Sequence, residues 1–232
     1  MKLAIMARAV IFLFVFLLSS CRYSRWAMEQ LPQAGTINYE TKLVARYIRS
    51  LHLYDQFDTI GHFDILWLSD DVRCQYASLH ARRNGSYAEN AIEFERRQLE
   101  ENNYFISFYL LVSASDSCIV DSITDNSSFS VFMKIDDELY HPIQVKHLDE
   151  LPSEYALFFG LRFNKFKQIF LIKFDAADCN GNRLISSGTK TVDLWFTKAT
   201  RFGSVRWYLT NEGEAISEPN KECNILAYDL KT

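Results

Sequence analysis

At Tyr104 the chain stops placing apolar residues at helical spacing and begins to run or alternate them. That switch constrains the fold more than any other feature of its 232 residues. The run YFISFYLLV (104–112) is β-prone and almost unbroken, as expected of a strand covered on both faces. TVDLWFT (191–197) places Val192, Leu194 and Phe196 on one face, with Asp193 and Thr197 on the other. SVRWYL (204–209) repeats the pattern with Val205, Trp207 and Leu209 inward. SSFSVFMKI, the charged turn DDE and LYHPIQV (127–145) read together as a hairpin, and EYALFFGLRF (154–163) and KQIFLIKF (167–174) read as further strands. Asn180-Gly181 is the strongest short turn signal. Roughly six or seven short strands separated by turns predict an antiparallel, immunoglobulin-like β-sandwich over 104–232.

Upstream, residues 37–103 read as a helical segment. NYETKLVARYIRSLHLY (38–54) carries Tyr39, Leu43, Tyr47 and Leu51 four apart behind an Asn38 cap, which predicts a helix. FDTIGHFDILWLS (57–69) reads equally as strand or connection. Ser69-Asp70-Asp71 opens a second helix, with acids placed for the dipole, and Arg82-Arg83-Asn84-Gly85 closes it. Ser86-x-x-Glu89 is a capping box before a third, in which Ala91, Phe94 and Gln98/Leu99 share a side. The expected class is therefore α+β, with about three N-terminal helices packed on the sandwich and 37–232 forming one folded unit. Three short helices make a poor core alone, so they are expected to cover a sheet.

The N-terminus sets location. Lys2 and Arg8 precede ten apolar residues, Ala9–Leu18, and then small residues. A helix needs roughly 20 apolar residues to cross a bilayer, so residues 1–20 read as a signal peptide and not as a span. Leu18-Ser19-Ser20-Cys21 resembles the lipobox of bacterial lipoproteins. That resemblance implies cleavage before Cys21, a diacylglycerol on its sulfur and an acylated amine, with 21–36 as a lipidated tether. Several acyl chains, at roughly 0.8 kcal/mol per buried methylene, anchor far more firmly than one. Arg22, standing where an aspartate favours inner-membrane retention in enteric bacteria, points to the outer membrane.

Losing residues 1–20 removes two of the 25 Lys and Arg and none of the 29 Asp and Glu, which moves the net charge from −4 to −6. Nucleic-acid binding leaves a basic excess, so it is not expected. Cys74, Cys118, Cys179 and Cys223 remain, an even number that permits one or two disulfides in an oxidising compartment, or buried free thiols.

Catalytic signatures are not visible: no G-x-S-x-G elbow, no H-E-x-x-H helix and no phosphate-binding glycine loop. His141 and His147 lie six apart but lack a third ligand, and the loop Ala176–Ser187, with Gly181 sixth, has Ala and Ser where a calcium loop needs carboxylates. No metal or other cofactor is expected, nor is enzymatic activity. Arg82-Arg83 and Arg96-Arg97 read as solvated helix faces, and Trp195, on the Asp193 side of its strand, as a partner contact. YETKLVARYIRSLHLYDQFDT (39–59, with Tyr54, Phe57, Asp58 and Thr59), LSDDVRCQYASLHARR (68–83) and TVDLWFTKATRFGSVRWYL (191–209) together resemble a loose group of uncharacterised bacterial lipoproteins. Those join a helical N-terminal part to a terminal β-sandwich; the resemblance implies fold and location and no activity. The expected function is an envelope lipoprotein, membrane-bound through Cys21, with a non-enzymatic structural or protein-interaction role. The alternative is a lipoprotein binding a small ligand or lipid in a pocket between helices and sheet.

Overall fold

Strand pairing begins earlier in the chain than its helical spacing predicts. The structure is a computed structural model that describes residues 42–55, 58–114, 129–198, 201–210 and 213–216. A helical turn at 42–45 gives way to β1 (Ile48–Asp55), which pairs antiparallel with β2 (Asp58–Trp67). The expected helix over 38–54 is therefore one helical turn followed by a strand, with Asn38 and Tyr39 outside the described residues. Leu51 and Leu53 also alternate with His52 and Tyr54, so the segment carries a period of two as well as four. The apolar β2 decides between them, because beside it Leu51 and Leu53 are buried and the backbone gains a ladder. Of the Tyr54–Thr59 motif, Tyr54 and Thr59 pair across two strands and do not lie in a helical part, and Phe57 lies outside the described residues.

Next come α1 (Asp70–Asn84) and α2 (Ala88–Tyr104). Ser69 caps α1 by accepting from Val72 N, and Gly85, at φ 59°, closes it as expected. The predicted capping box does not form: Tyr87 is the N-cap of α2 and makes no side-chain cap bond. Then follow β3 (Phe105–Ala114), β4 (Phe129–Ile135), β5 (Glu138–Tyr140), β6 (Gln144–Leu148), α3 (Ser153–Phe159) with a 3-10 turn Gly160–Arg162, β7 (Gln168–Asp175), β8 (Thr191–Lys198) and β9 (Arg201–Tyr208). Two sequence expectations fail here. EYALFFGLRF is α3 and not a strand, since Glu154, Tyr155, Phe158 and Phe159 bury a helical stripe behind Pro152. LYHPIQV is not one strand: β4 and β5 form the hairpin, and the chain then crosses at His141–Ile143 to put β6 beside β7.

Both sheets are antiparallel, one ordered β1-β2-β3-β7-β6 and the other β5-β4-β8-β9. The first begins as a three-strand meander, which differs from the A-B-E-D and C-F-G orders of an immunoglobulin domain. The difference arises because 48–67 supplies two strands that helical spacing removes from the count. The sheets face one another across aromatic contacts: Phe63 lies 5.6 Å from Phe129 and 5.3 Å from Phe196, and Trp207 lies 6.0 Å from Trp67 and 5.5 Å from Phe108. Where β9 nears β1, Gly203 has no room for a side chain, because an added Cβ would stand 2.5 Å from a Leu53 methyl. The described residues, all from Lys42 onwards, cluster as one compact unit.

The helices cover the other face of the first sheet, where Tyr155 stacks on Tyr76 at 4.2 Å and meets Tyr109 at 4.9 Å. Polar contacts fix them there. Arg73, 2 % exposed, donates to Asn102 (2.6 Å), Glu101 (2.9 Å) and Gln98 (3.3 Å) of α2. Glu101 in turn accepts from Lys173 of β7 at 2.6 Å. A buried guanidinium is tolerable only when so surrounded, and deleting it takes that donor from Asn102 and Gln98 and leaves Glu101 to Lys173. Arg73→Ala is expected to destabilise the protein by about 3 kcal/mol, read as a lowered midpoint in urea. A loss below ~1 kcal/mol would show the network to be mere surface decoration.

Candidate functional site

The start of β3 and the ends of β2 and β7 lie at one end of the first sheet, and there the strands leave an open cleft of about 570 Å³. Tyr47, Trp67, Phe105 and Ile106 form its apolar wall; Asp70, Asp71, Arg183 and Glu214 supply charge. Ordinary local rules place most of these groups. The N-cap Ser69 and the dipole-favoured Asp70 and Asp71 sit there because α1 starts where β2 stops. Arg183 follows the tight turn 178–182, in which Asp178 Oδ1 accepts from Asn180 N and Asn182 N, both at 2.8 Å, and Gly181 takes φ 84°. The expected turn at Asn180-Gly181 is thus present.

The carboxylates are largely occupied. Asp71 accepts from Arg46 at 2.5 Å and from the Tyr47 hydroxyl, Arg46 also lies 3.3 Å from Glu214, and Asp70 accepts from Asn102 at 2.7 Å. Arg183 donates to Asn103. Such a surface offers an aromatic wall beside fixed, partly neutralised charges, which suits an extended polar and apolar segment.

A second polar cluster centres on the fully buried Asp64. Its carboxylate accepts from Ser50 (2.5 Å) and Lys167 (2.7 Å), with His62 Nε2 at 3.0 Å and Arg162 Nε at 3.7 Å. Burial lowers the His62 pKa. Serine, histidine and aspartate meet here, but the carboxylate stands between the other two, whereas a nucleophilic relay places the imidazole in the middle.

The sequence candidates disperse. Cys21, Cys118 and Cys223 lie outside the described residues, while Cys74 and Cys179 carry free thiols, half-buried and exposed respectively. Trp195 lies on the outer face of the second sheet, as the Asp193 side requires, but is half-buried: it stacks on Phe202 at 5.7 Å. Asp193 is itself buried, with Arg206 donating to both its oxygens at 2.7 Å. His141 packs on Phe132 and His147 on Phe170, against different sheets. Among the described residues no three His, Cys, Asp or Glu converge as a metal site, and no helix is long and apolar enough to cross a membrane. Sequence reasoning missed the cleft because its walls come from six separated stretches. The one local pointer was Asp70-Asp71, explained fully as helix-starting acids.

No protein-family model matches the chain, and no curated protein matches it. A solved structure from Burkholderia pseudomallei K96243, described as a novel protein of unknown function, is similar to it. The likeness covers 79 % of this chain and 87 % of that one, at 10 % identity and a TM-score of 0.37.

Tyr47 links cleft and core, and its protonation should be visible. Burial first, and the bond to Asp71 second, push its phenol up to about 12; burial does the same for Tyr109. An unfolded tyrosine titrates near ~10, so the folded state holds these protons more tightly. Their stabilisation is complete below ~pH 10 and disappears as the pH rises through about 12. The thermal midpoint should therefore fall across that window, and less steeply in Tyr109→Phe. An identical slope in the variant would remove Tyr109 from the account.

Proposed function

We propose that the chain is a lipid-anchored envelope protein that works by binding and not by catalysis. In this reading Cys21 carries the acyl anchor, 21–36 is the tether, and the outer membrane is the site of attachment. The fold is a β-sandwich with helices on one face, and it presents its end cleft to a segment of a partner protein. One observation carries the binding role: an open cleft with an aromatic wall and a charged rim, at the end of the first sheet where the chain enters from residue 42. The acidic balance of the chain argues against a nucleic-acid partner. The cleft volume also falls within the ~300–1,000 Å³ of small-ligand sites, which favours a bound small molecule as the second reading. Its openness and its charged rim favour the first.

Two measurements test this. Fatty-acid labelling in the native host should mark the wild type and fail to mark Cys21→Ser; equal label in both would end the anchor reading. A photo-reactive residue at Ser187, exposed on the cleft rim, should give a discrete protein adduct in intact envelopes. The same residue at Ser113, exposed near the far end of β3, should not. Indistinguishable adducts at the two positions would remove the cleft from consideration, and a small molecule co-purifying with the chain and displaced by Arg183→Glu would favour the second reading.

A further inference from the structure

The connection from α3 to β7 fixes two large apolar side chains in water. Leu161 is fully exposed and Phe166 is 80 % exposed. Isolated apolar residues on a surface are ordinary, but these two share one short loop whose backbone is held in successive turns. Phe163 N donates to Gly160 O at 3.1 Å, Lys167 N to Asn164 O at 2.9 Å, and Phe166 N to the Asn164 side chain at 3.0 Å. Gly160 starts the loop at φ 56°, a conformation that favours glycine. Between the tips, Phe163 turns inward against the core. The base is pinned by Lys167 and Arg162 on the buried Asp64. The loop therefore projects Leu161 and Phe166 as a formed feature.

Its charge runs against the sign of the whole chain, which is −4. Lys167 is spent on Asp64, but Arg162 remains half-exposed, and the Lys165 ammonium lies 5.4 Å over the Phe166 ring. Glu154, on neighbouring α3, is engaged with Ser153, His80 and Arg83, and the exposed Asp149 and Glu150 follow β6 beside the base of the loop and not its tips. Apolar tips rimmed by cations match an anionic bilayer surface, where hydrocarbon lies just beneath phosphates. We propose that residues 160–167 form a membrane-contact finger, with Leu161 and Phe166 entering the headgroup region of an anionic bilayer and Arg162 and Lys165 meeting its phosphates. This does not rest on acylation of Cys21.

The test uses the full chain reconstituted into vesicles of phosphatidylethanolamine and phosphatidylglycerol (3:1), or of phosphatidylcholine alone. A photo-reactive phenylalanine analogue is placed at 161, at 166, or at Leu139, an exposed position on β5 of the other sheet. Lipid adducts at 161 and 166 should exceed those at 139 and require phosphatidylglycerol. Lys165→Glu should lower the yield at 166 roughly fivefold or more, the scale of one cation near an anionic surface. It touches none of the Asp64 contacts, so the unfolding midpoint should not move. Equal yields at 166 and 139, or indifference to phosphatidylglycerol, would overturn the proposal. Adducts to protein in place of lipid would overturn it too, by making the loop a protein-docking element. Running the set in Cys21→Ser separates the finger from the anchor: lipid adducts that persist there uphold the finger whether or not the sulfur is acylated.

Discussion

One carbonyl oxygen joins the two sheets. Tyr47 O accepts from Trp67 N of β2 and from the indole Nε1 of Trp207 in β9, each at 3.1 Å. Two apolar faces pack well at many offsets, because hydrophobic contact has no direction. A buried indole N–H does have direction, and leaving it unmet costs about 1–3 kcal/mol. The Tyr47 carbonyl, together with Arg49 Nε of β1 donating to Arg206 O of β9 at 2.9 Å, thus fixes how β9 sits on the first sheet, with Trp67 and Trp207 edge-on. At the far end the rings of Phe63, Phe129 and Phe196 close the same interface. The same residue turns its hydroxyl towards Asp71, so the cleft wall is an extension of the joint between the sheets.

The opposite face of the first sheet obeys a different logic. None of the residues of α2 is buried, so apolar burial alone cannot fasten it. Arg73 and Glu101 do so instead, reaching from α1 to α2 and on to Lys173 of β7. Ion pairs of this kind specify an arrangement more than they stabilise it. α2 is accordingly placed by geometry and not by the size of an apolar stripe.

Cleft and finger occupy opposite ends of β7: the cleft wall follows Asp175, and the finger precedes Gln168. A finger resting on a bilayer would turn the cleft away from that bilayer, towards whatever lies in the compartment. An eight-residue strand spans about 27 Å, and the sixteen residues 21–36 reach about 50 Å when fully extended. An acyl anchor at Cys21 is therefore compatible with a finger on the same membrane.

Sequence alone determined much of the second half. Alternation in TVDLWFT and SVRWYL placed Val192, Leu194, Phe196, Val205 and Trp207 inward, and all five are buried. It did so because strand side chains point to opposite faces whatever the neighbours are. It also determined both ends of α1, since Ser69 and Gly85 act through their own backbone. Tertiary structure decided where period and partner disagree. Residues 48–55 satisfy two periods and became a strand because β2 lay beside them; 153–159 looked β-prone but buried a helical stripe. Neither cleft nor finger was legible, because each depends on which distant segments meet: Tyr47 with Glu214 and Arg183, and Lys167 with Asp64, 103 residues apart. Local rules fix which way a side chain points, and only the packed chain fixes what it points at.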